Sequence, residues 1–165
     1  GALTESLIFS IGGFHDQRKF LINDLKSGYI NGLALSNSYM SDSDVLTKFE
    51  YEYSKYNAKA SYETYQSNSF GLNITSALGR GWSFKASLSH AQKSHFADFP
   101  IFGKKKEEIN SANIEFSKAS SDKCLLASYR VAKNDNRSTI DIYSRSNLQV
   151  TADFSYVCLM NDLSK

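Results

Sequence analysis

Leu148–Cys158 reads LQVTADFSYVC, and the alternation of its apolar and polar residues decides the fold. Successive side chains of a β-strand point to opposite faces, so this pattern predicts a strand with one apolar and one polar face. The same alternation recurs upstream, and no segment carries the 3.6-residue stripe of an amphipathic helix. The sequence therefore predicts an all-β protein. Further strands are predicted at Phe49–Tyr53, Ala58–Tyr62, Phe70–Leu78, Trp82–Leu88, Ala112–Phe116 and Leu125–Val131.

The composition fits strands joined by polar turns. Ten Tyr and eleven Phe occur among 165 residues, with a single Pro, and aromatic residues favour strands. A net charge of +2, with no face rich in Lys and Arg, gives no indication of nucleic acid as a partner. No run approaches the roughly 20 apolar residues of a spanning helix. We expect one domain over residues 1–165, least defined over 1–28 and ending in a tail at 159–165.

Short and long connections alternate along the chain. Short links rich in Gly, Asn, Asp or Ser are predicted at Lys55–Asn57, Gly79–Gly81 and Ala119–Lys123. Bacterial outer-membrane barrels have short periplasmic turns and longer external loops, so this alternation predicts an antiparallel up-and-down transmembrane β-barrel. The longer polar connections are predicted at Ser36–Asp44, Tyr65–Ser69, Lys93–Glu108 and Lys133–Arg145.

The number of strands depends on the N-terminal part. Lys19–Leu25 and Tyr29–Asn37 can pair across Lys26–Gly28, with Ser6–Gly12 as a further strand, whereas a stricter count omits that hairpin. Ser6–Phe14 is apolar but has no basic segment before it, so a strand is predicted there rather than a signal peptide. We expect about 8–10 strands, as a whole barrel or as part of a larger one.

The two faces of the predicted strands suit a barrel lumen on one side and lipid on the other. The polar face carries both signs of charge, and opposite charges in one lumen can pair. Aromatic residues on the apolar face suit the membrane interfaces. The predicted lumen-facing residues are Lys48, Glu50, Glu52, Lys59, Glu63, Lys85, Glu115, Arg130 and Asp153. The predicted lipid-facing aromatic girdle consists of Tyr51, Tyr53, Trp82, Phe84, Phe116, Phe154 and Tyr156.

Two other interpretations remain open. A soluble lipocalin-like barrel has the same alternation, with its apolar face turned inward around an apolar ligand. A small outer-membrane hydrolase or acyltransferase would use His95 and Asp98, with a serine such as Ser94 as the nucleophile. No spacing signature supports that chemistry, so we expect no enzyme, no cofactor and no metal site.

Cysteines and a basic run each have a structural and a functional interpretation. Cys124 and Cys158 fall at the ends of neighbouring strands, but the alternation places them on opposite faces, so free thiols are favoured and a disulfide stays open. Lys104–Lys106, next to Glu107 and Glu108, is favoured as a solvated loop end. Its functional interpretation is contact with anionic lipopolysaccharide headgroups.

Two motifs resemble barrels of the surface lipoprotein assembly modifier type. Phe99–Glu108 reads FPIFGKKKEE and is similar to a family loop in which Phe-Gly is followed by basic residues and an acid. Tyr129–Ser138 reads YRVAKNDNRS and resembles the family's penultimate strand and the Asn/Ser loop after it. Tyr143 and Arg145 then lead into the closing strand. Cys158 stands where the family has a terminal Phe, and the resemblance covers roughly residues 67–158.

The resemblance implies a function and a location. In such proteins a periplasmic helical-repeat domain precedes the barrel, and the two deliver lipoproteins to the cell surface; related barrels export polysaccharide. We therefore expect an outer-membrane barrel of a Gram-negative bacterium that assists translocation or surface display. Its expected partners are outer-membrane lipid and a client lipoprotein or exported polymer.

Overall fold

The structure is a computed structural model that describes residues 6–41, 43–119 and 125–156. In these ranges the chain forms one antiparallel sheet of eight strands, each paired with its neighbours in sequence. The strands are 12 to 18 residues long, whereas strands of globular domains usually have about 5–6 residues. The strands are β1 (Ser6–Arg18), β2 (Gly28–Met40), β3 (Val45–Ala58), β4 (Tyr65–Gly79), β5 (Trp82–Phe99), β6 (Gly103–Ala119), β7 (Leu125–Ser138) and β8 (Arg145–Tyr156).

The all-β class and the up-and-down order are confirmed, but the sheet is not closed into a barrel. Within the described ranges β1 pairs only with β2, and β8 only with β7. Hairpin connections set the register between sequential strands. The first and last strands share no hairpin, and alternation within a strand carries no information on how those two would pair. The expectation of a closed barrel is therefore corrected to an open sheet.

The connections define two ends of the sheet. The loop end carries the connections 19–27, 59–64, 100–102 and 139–144. Three of them contain a short 3-10 turn, at Asp24–Lys26, Ser61–Glu63 and Asp141–Tyr143. The opposite end, which we call the turn end, carries the two-residue link of Arg80 and Gly81. Both residues have positive φ, 52° and 79°, which suits the twist of a tight hairpin, so the short link predicted at Gly79–Gly81 is confirmed.

Two predictions in the first half of the chain are wrong. The count of ten strands is wrong, because Lys19–Leu25 and most of Ala58–Tyr62 lie in connections, and eight strands remain. Lys55–Asn57 is part of β3 rather than a turn, because Tyr56 is buried and paired with β2 and β4 on either side. Lys59 and Glu63 consequently lie in the β3–β4 connection and not on a strand.

Most of the predicted long connections are strand. Lys93–Glu108 contains the end of β5 and the start of β6, with three residues between them. Tyr65–Ser69 begins β4, and β7 continues to Ser138. At the start of β6 and the end of β7 both faces are polar, so the alternation that identifies a strand is lost there although the pairing continues. Most of the predicted link Ala119–Lys123 lies outside the described residues, as do Cys124 and Cys158.

The best-buried apolar side chains lie at the loop end. Ile30, Tyr56, Phe99 and Ile140 are only 5–7% exposed. They come from β2, β3, β5 and the β7–β8 connection, so this end of the sheet contains the core of the described structure. None of the described helices has the length and apolar character needed to cross a membrane.

Candidate functional site

One face of the sheet, which we call the polar face, carries the strand charges that the sequence singles out. In β3 it contains Lys48, Glu50 and Glu52, since every second residue points to one side. Lys48 Nζ lies 2.6 Å from Glu50 Oε1, and Asn73 Nδ2 of β4 donates to Glu50 Oε2 at 2.9 Å. Glu52 is exposed, and its register partner on β4 is Ser69.

The polar face continues through β5, β6 and β7. Lys85, Glu115 and Arg130 are opposite one another in the register. Lys85 Nζ is 4.0 Å from Glu115 Oε1, and the Lys85 side chain is 55% exposed. Arg130 Nε donates instead to Asn113 Oδ1 at 2.6 Å. The charges are thus linked by a few contacts and remain in contact with water.

Three other predicted lumen residues lie towards the two ends of the sheet. Lys59 pairs with Asp24 at the loop end, and Glu63 Oε1 lies 3.5 Å from Lys26 Nζ, so both residues tie two connections together. Asp153 is an exposed residue of β8, close to the turn end. The structure therefore does not bring the nine predicted residues into one charged cluster.

Small side chains occupy the middle of the polar face. One row across the sheet consists of Ser10, Ser36, Glu50, Gly71, Ser89, Ser111, Asn134 and Asn147. Hydroxyl pairs bridge neighbouring strands, as in Ser10–Ser36 at 2.7 Å and Ser89–Ser111 at 2.5 Å between Oγ atoms. This face presents hydrogen-bonding groups with little side-chain bulk.

The opposite face, which we call the apolar face, carries an apolar band. One row consists of Leu7, Tyr39, Thr47, Ile74, Ala86, Ile114, Val131 and Val150. The next row towards the loop end consists of Phe9, Asn37, Phe49, Leu72, Leu88, Ala112, Lys133 and Leu148. Large apolar side chains in these rows are exposed, as Leu88 at 58% and Ile114 at 47% show.

The apolar band crosses the strands obliquely. On β2 and β3 it extends towards the loop end as far as Leu33 and Tyr53, whereas on β8 it ends at Leu148, two rows lower. At the turn end the last residue of the band on β2 is Tyr39, whereas on β8 the band includes Phe154, which lies two rows further towards the turn end. From β2 to β8 both boundaries of the band shift towards the turn end. The band therefore keeps its height but crosses the strands at an angle.

The predicted girdle residues form two groups along this face. Near the turn end lie Trp82, Phe84, Phe116 and Phe154, and the Phe84 and Phe116 rings are 5.0 Å apart. Near the loop end lie Tyr51 and Tyr53, because β3 runs towards that end. Tyr156 ends β8, and its side chain lies outside the described part.

A buried group of charged and aromatic side chains covers the polar face beyond the band, and we call it the loop-end cluster. It consists of Tyr62, His95, Phe99, Lys105, Glu107 and Tyr143. His95 Nδ1 donates to the Tyr62 carbonyl at 2.8 Å, and Nε2 lies 3.5 Å from Glu107 Oε2. Both partners are acceptors, so the ring makes both hydrogen bonds only when both nitrogens carry a proton.

Lys105 connects the loop-end cluster to the β7–β8 connection. Its Nζ lies 3.2 Å from Glu107 Oε1 and 3.9 Å from the centroid of the Tyr143 ring, with Phe99 on another side at 5.3 Å. An ammonium group over an aromatic face is attracted by the ring quadrupole. The Phe99 ring also packs against Tyr62 with a centroid distance of 5.2 Å, so two connections are held over the polar face.

The electrostatics of the loop-end cluster stabilise the ionised form of Glu107. The hydrogen bond from His95 is the largest cause that lowers the pKa of this carboxyl to about 2, burial opposes it, and the charges of Lys105 and Lys93 reinforce it. Glu107 lies beyond the apolar band, towards the loop end of β6. With this pKa the Glu107 carboxylate stays ionised at neutral pH, and it contacts His95 on β5 and Lys105 on β6.

The cluster differs from the catalytic arrangement considered from the sequence. His95 contacts Glu107, whereas Asp98 is exposed and is opposite Lys104 in the register. Ser94, which precedes His95 on the strand, has Lys106 as its register partner. The described residues contain no group of three or more His, Cys, Asp or Glu side chains placed to hold a metal.

The sequence does not single out Lys105 and Glu107 as site residues, since the run Lys104–Lys106 favours a solvated loop end. Lys105 is 7% exposed, while the lysines on either side of it are exposed. Alternation outward from Ile109 would have placed Lys105 and Glu107 on one face, and this was the available signal.

Comparisons of this chain with models of known protein families, with curated proteins and with solved structures find no match.

Proposed function

We propose that the sheet forms the wall of an outer-membrane β-barrel that assists translocation or surface display of a client polypeptide. The oblique apolar band carries this proposal. Strands of membrane barrels are tilted, so a flat lipid layer meets successive strands at shifted positions. On β3 the band extends from Val45 to Tyr53, about 27 Å along the strand, close to the roughly 25 Å apolar height of outer-membrane barrels.

The exposure of the apolar face supports lipid as its partner. Contiguous exposed apolar surface marks a site of interaction with membrane or protein. Leu88 and Ile114 on this face are about half exposed, at 58% and 47%. A lipocalin-like barrel would bury the same two residues around an apolar ligand, and this alternative is tested by the liposome experiment below.

The polar face suits the lumen of such a barrel. Its central row consists of Ser, Gly and Asn residues together with Glu50, and it would supply hydrogen-bond partners for a passing segment. At the loop end, the loop-end cluster would narrow the mouth of this lumen, and the longer connections there favour the external side. Closure of the barrel would bring β1 and β8 together at a seam, and opening of this seam offers a second route, in which a client strand adds to a freed edge.

The nature of the client rests on the resemblance of Phe99–Glu108 and Tyr129–Ser138 to barrels of the surface lipoprotein assembly modifier type. We extend the proposal to a lipoprotein-type client, with an exported polymer as the alternative. The Gram-negative outer membrane is the location that this function requires.

Two measurements test the proposal. The purified chain, refolded with phosphatidylcholine liposomes, should float with them and show strand regions protected from protease. In Gram-negative cells that carry a reporter lipoprotein, producing the chain should increase protease access to the reporter on intact cells. A chain that stays soluble without liposome binding contradicts the barrel, and insertion without any change in the reporter contradicts the client function.

A further inference from the structure

Lys133 on β7 lies in the last row of the apolar band towards the loop end on this side of the sheet. It belongs to a row of the apolar band, where its register partners are Ala112 on β6 and Leu148 on β8. The side chain is exposed, and no carboxylate of the described residues lies within 4.0 Å of its Nζ. In the proposed membrane orientation this boundary row lies near the headgroups, where a lysine costs little and can contact a lipid phosphate.

A groove of about 560 Å³ lies beside Lys133. Phe49, Phe70 and Leu88 supply its apolar part on β3, β4 and β5. Ala112 also lines it, and this small side chain leaves room between Leu88 and Lys133 in the same row. The groove therefore combines a cation with an apolar surface on the same face.

Polar groups line the groove on the side of the loop end. His90 Nδ1 and Asn110 Oδ1 are 2.7 Å apart, one row beyond Leu88 and Ala112. Arg137 and Asp135 both line the groove and pair with each other, with Arg137 Nε 3.3 Å from Asp135 Oδ2. Arg137 has a carboxylate partner, which leaves Lys133 as the lining cation that lacks one in the described part of the chain.

We propose that this groove binds a phosphate-bearing lipid, with Lys133 contacting the phosphate and the acyl chains lying along Phe49, Phe70 and Leu88. The inference rests on the proposed membrane function, since the groove opens on the face assigned to lipid. Such a lipid suits both parts of the groove, because its anionic headgroup can lie beside Lys133 and the polar groups while its acyl chains contact the apolar side chains. A free phosphate ion would use the cation but not the apolar part.

Lys118 provides a matched control for Lys133. It lies on the same face near the turn end, and its Nζ is 5.1 Å from the centroid of the Trp82 ring. Lys118→Gln removes the same charge from the same face without touching the groove. If the charge acts only through general attraction for anionic lipid, both variants should lose bound lipid. If Lys133 forms a site, only Lys133→Gln should lose it.

The test uses the full chain in nanodiscs of phosphatidylcholine with a minor fraction of phosphatidylglycerol. Native mass spectrometry counts the phosphatidylglycerol molecules that remain on the chain after release from the disc. The wild type and Lys118→Gln should retain one more than Lys133→Gln, and added inorganic phosphate should not displace it. Equal retention by all three chains overturns the site while leaving the barrel proposal intact. Displacement by inorganic phosphate overturns the lipid as its ligand, and failure to enter the disc overturns both proposals.

Discussion

His95 Nε2 and Glu107 Oε2 lie 3.5 Å apart, on side chains that are 3% and 12% exposed. The pair links β5 to β6 in the loop-end cluster, where the β3–β4 and β7–β8 connections also meet. In the proposed barrel this contact lies at the external mouth. Its strength therefore bears on how firmly the mouth is held together.

The stability of the chain should depend on pH through Glu107. The pKa of its carboxyl falls from an ordinary 4.5 to about 2 in the folded chain. A lowered folded pKa means that the stabilisation is complete above 4.5 and is lost as pH falls from there through about 2. We expect Glu107→Gln to lower the free energy of unfolding by about 2 kcal/mol at neutral pH, after allowance for residual solvent screening.

Urea unfolding of the lipid-inserted chain between pH 6 and 2 measures this dependence, with Glu108→Gln as the control. Glu108 is adjacent in sequence but 48% exposed. The wild type and Glu108→Gln should lose stability over the acidic part of this range, whereas Glu107→Gln should lose less. Parallel curves for all three chains would show that the His95–Glu107 contact contributes little.

Alternation predicted the strands where the two faces differ in polarity, and it failed where they do not. Apolar and polar residues alternate around Leu88 and around Val150, and the sequence predicts both of these strands. At Lys105 both faces carry lysine, so the burial of this residue depends on Tyr143, which is far away in sequence. The open edges of the sheet are a second feature that alternation does not predict, since whether β1 and β8 pair depends on no pattern within either strand.

Glycine at position 32 should be required for close packing on the polar face. A Cβ there would lie 2.6 Å from the backbone oxygen of Tyr53 and against the Phe14 ring. We expect Gly32→Ala to destabilise the chain by roughly 1–3 kcal/mol through overpacking. Gly12 has no heavy atom within 4 Å of an added Cβ, so Gly12→Ala should be neutral or slightly stabilising. Equal urea midpoints for the two variants would contradict the packing at Gly32.

The two faces should differ in their tolerance of charge. Leu88→Arg and Ile114→Arg place a guanidinium on the apolar face, which costs roughly 2–4 kcal/mol near the membrane midplane. Ser87→Arg and Asn113→Arg are neighbouring substitutions on the polar face and should be milder. The fraction of chain inserted into liposomes measures both pairs. Equal insertion of all four variants would refute the assignment of the faces.

The loop end should be accessible from outside the cell. Ile101 and Ile142 lie in two of its connections and are 98% and 69% exposed, whereas Arg80 lies in the tight link of the turn end. After replacement of both native cysteines by serine, Ile101→Cys and Ile142→Cys should react with an impermeant maleimide on intact cells. Arg80→Cys should react only after the outer membrane is opened. The reverse pattern would invert the topology.

The edges of the sheet should become paired in the membrane. In an antiparallel edge strand every second backbone N–H points away from the sheet, and in lipid each unsatisfied group costs several kcal/mol. We therefore expect all amides of β1 and β8 within the apolar band to be protected from hydrogen exchange in liposomes, as strongly as those of β4, which is paired on both sides. Mass spectrometry with fragmentation, or NMR, resolves single amides. Rapid exchange at alternate positions of β1 and β8, with β4 protected throughout, would mean that the sheet stays open in lipid and would rule out the closed wall that the proposed function requires.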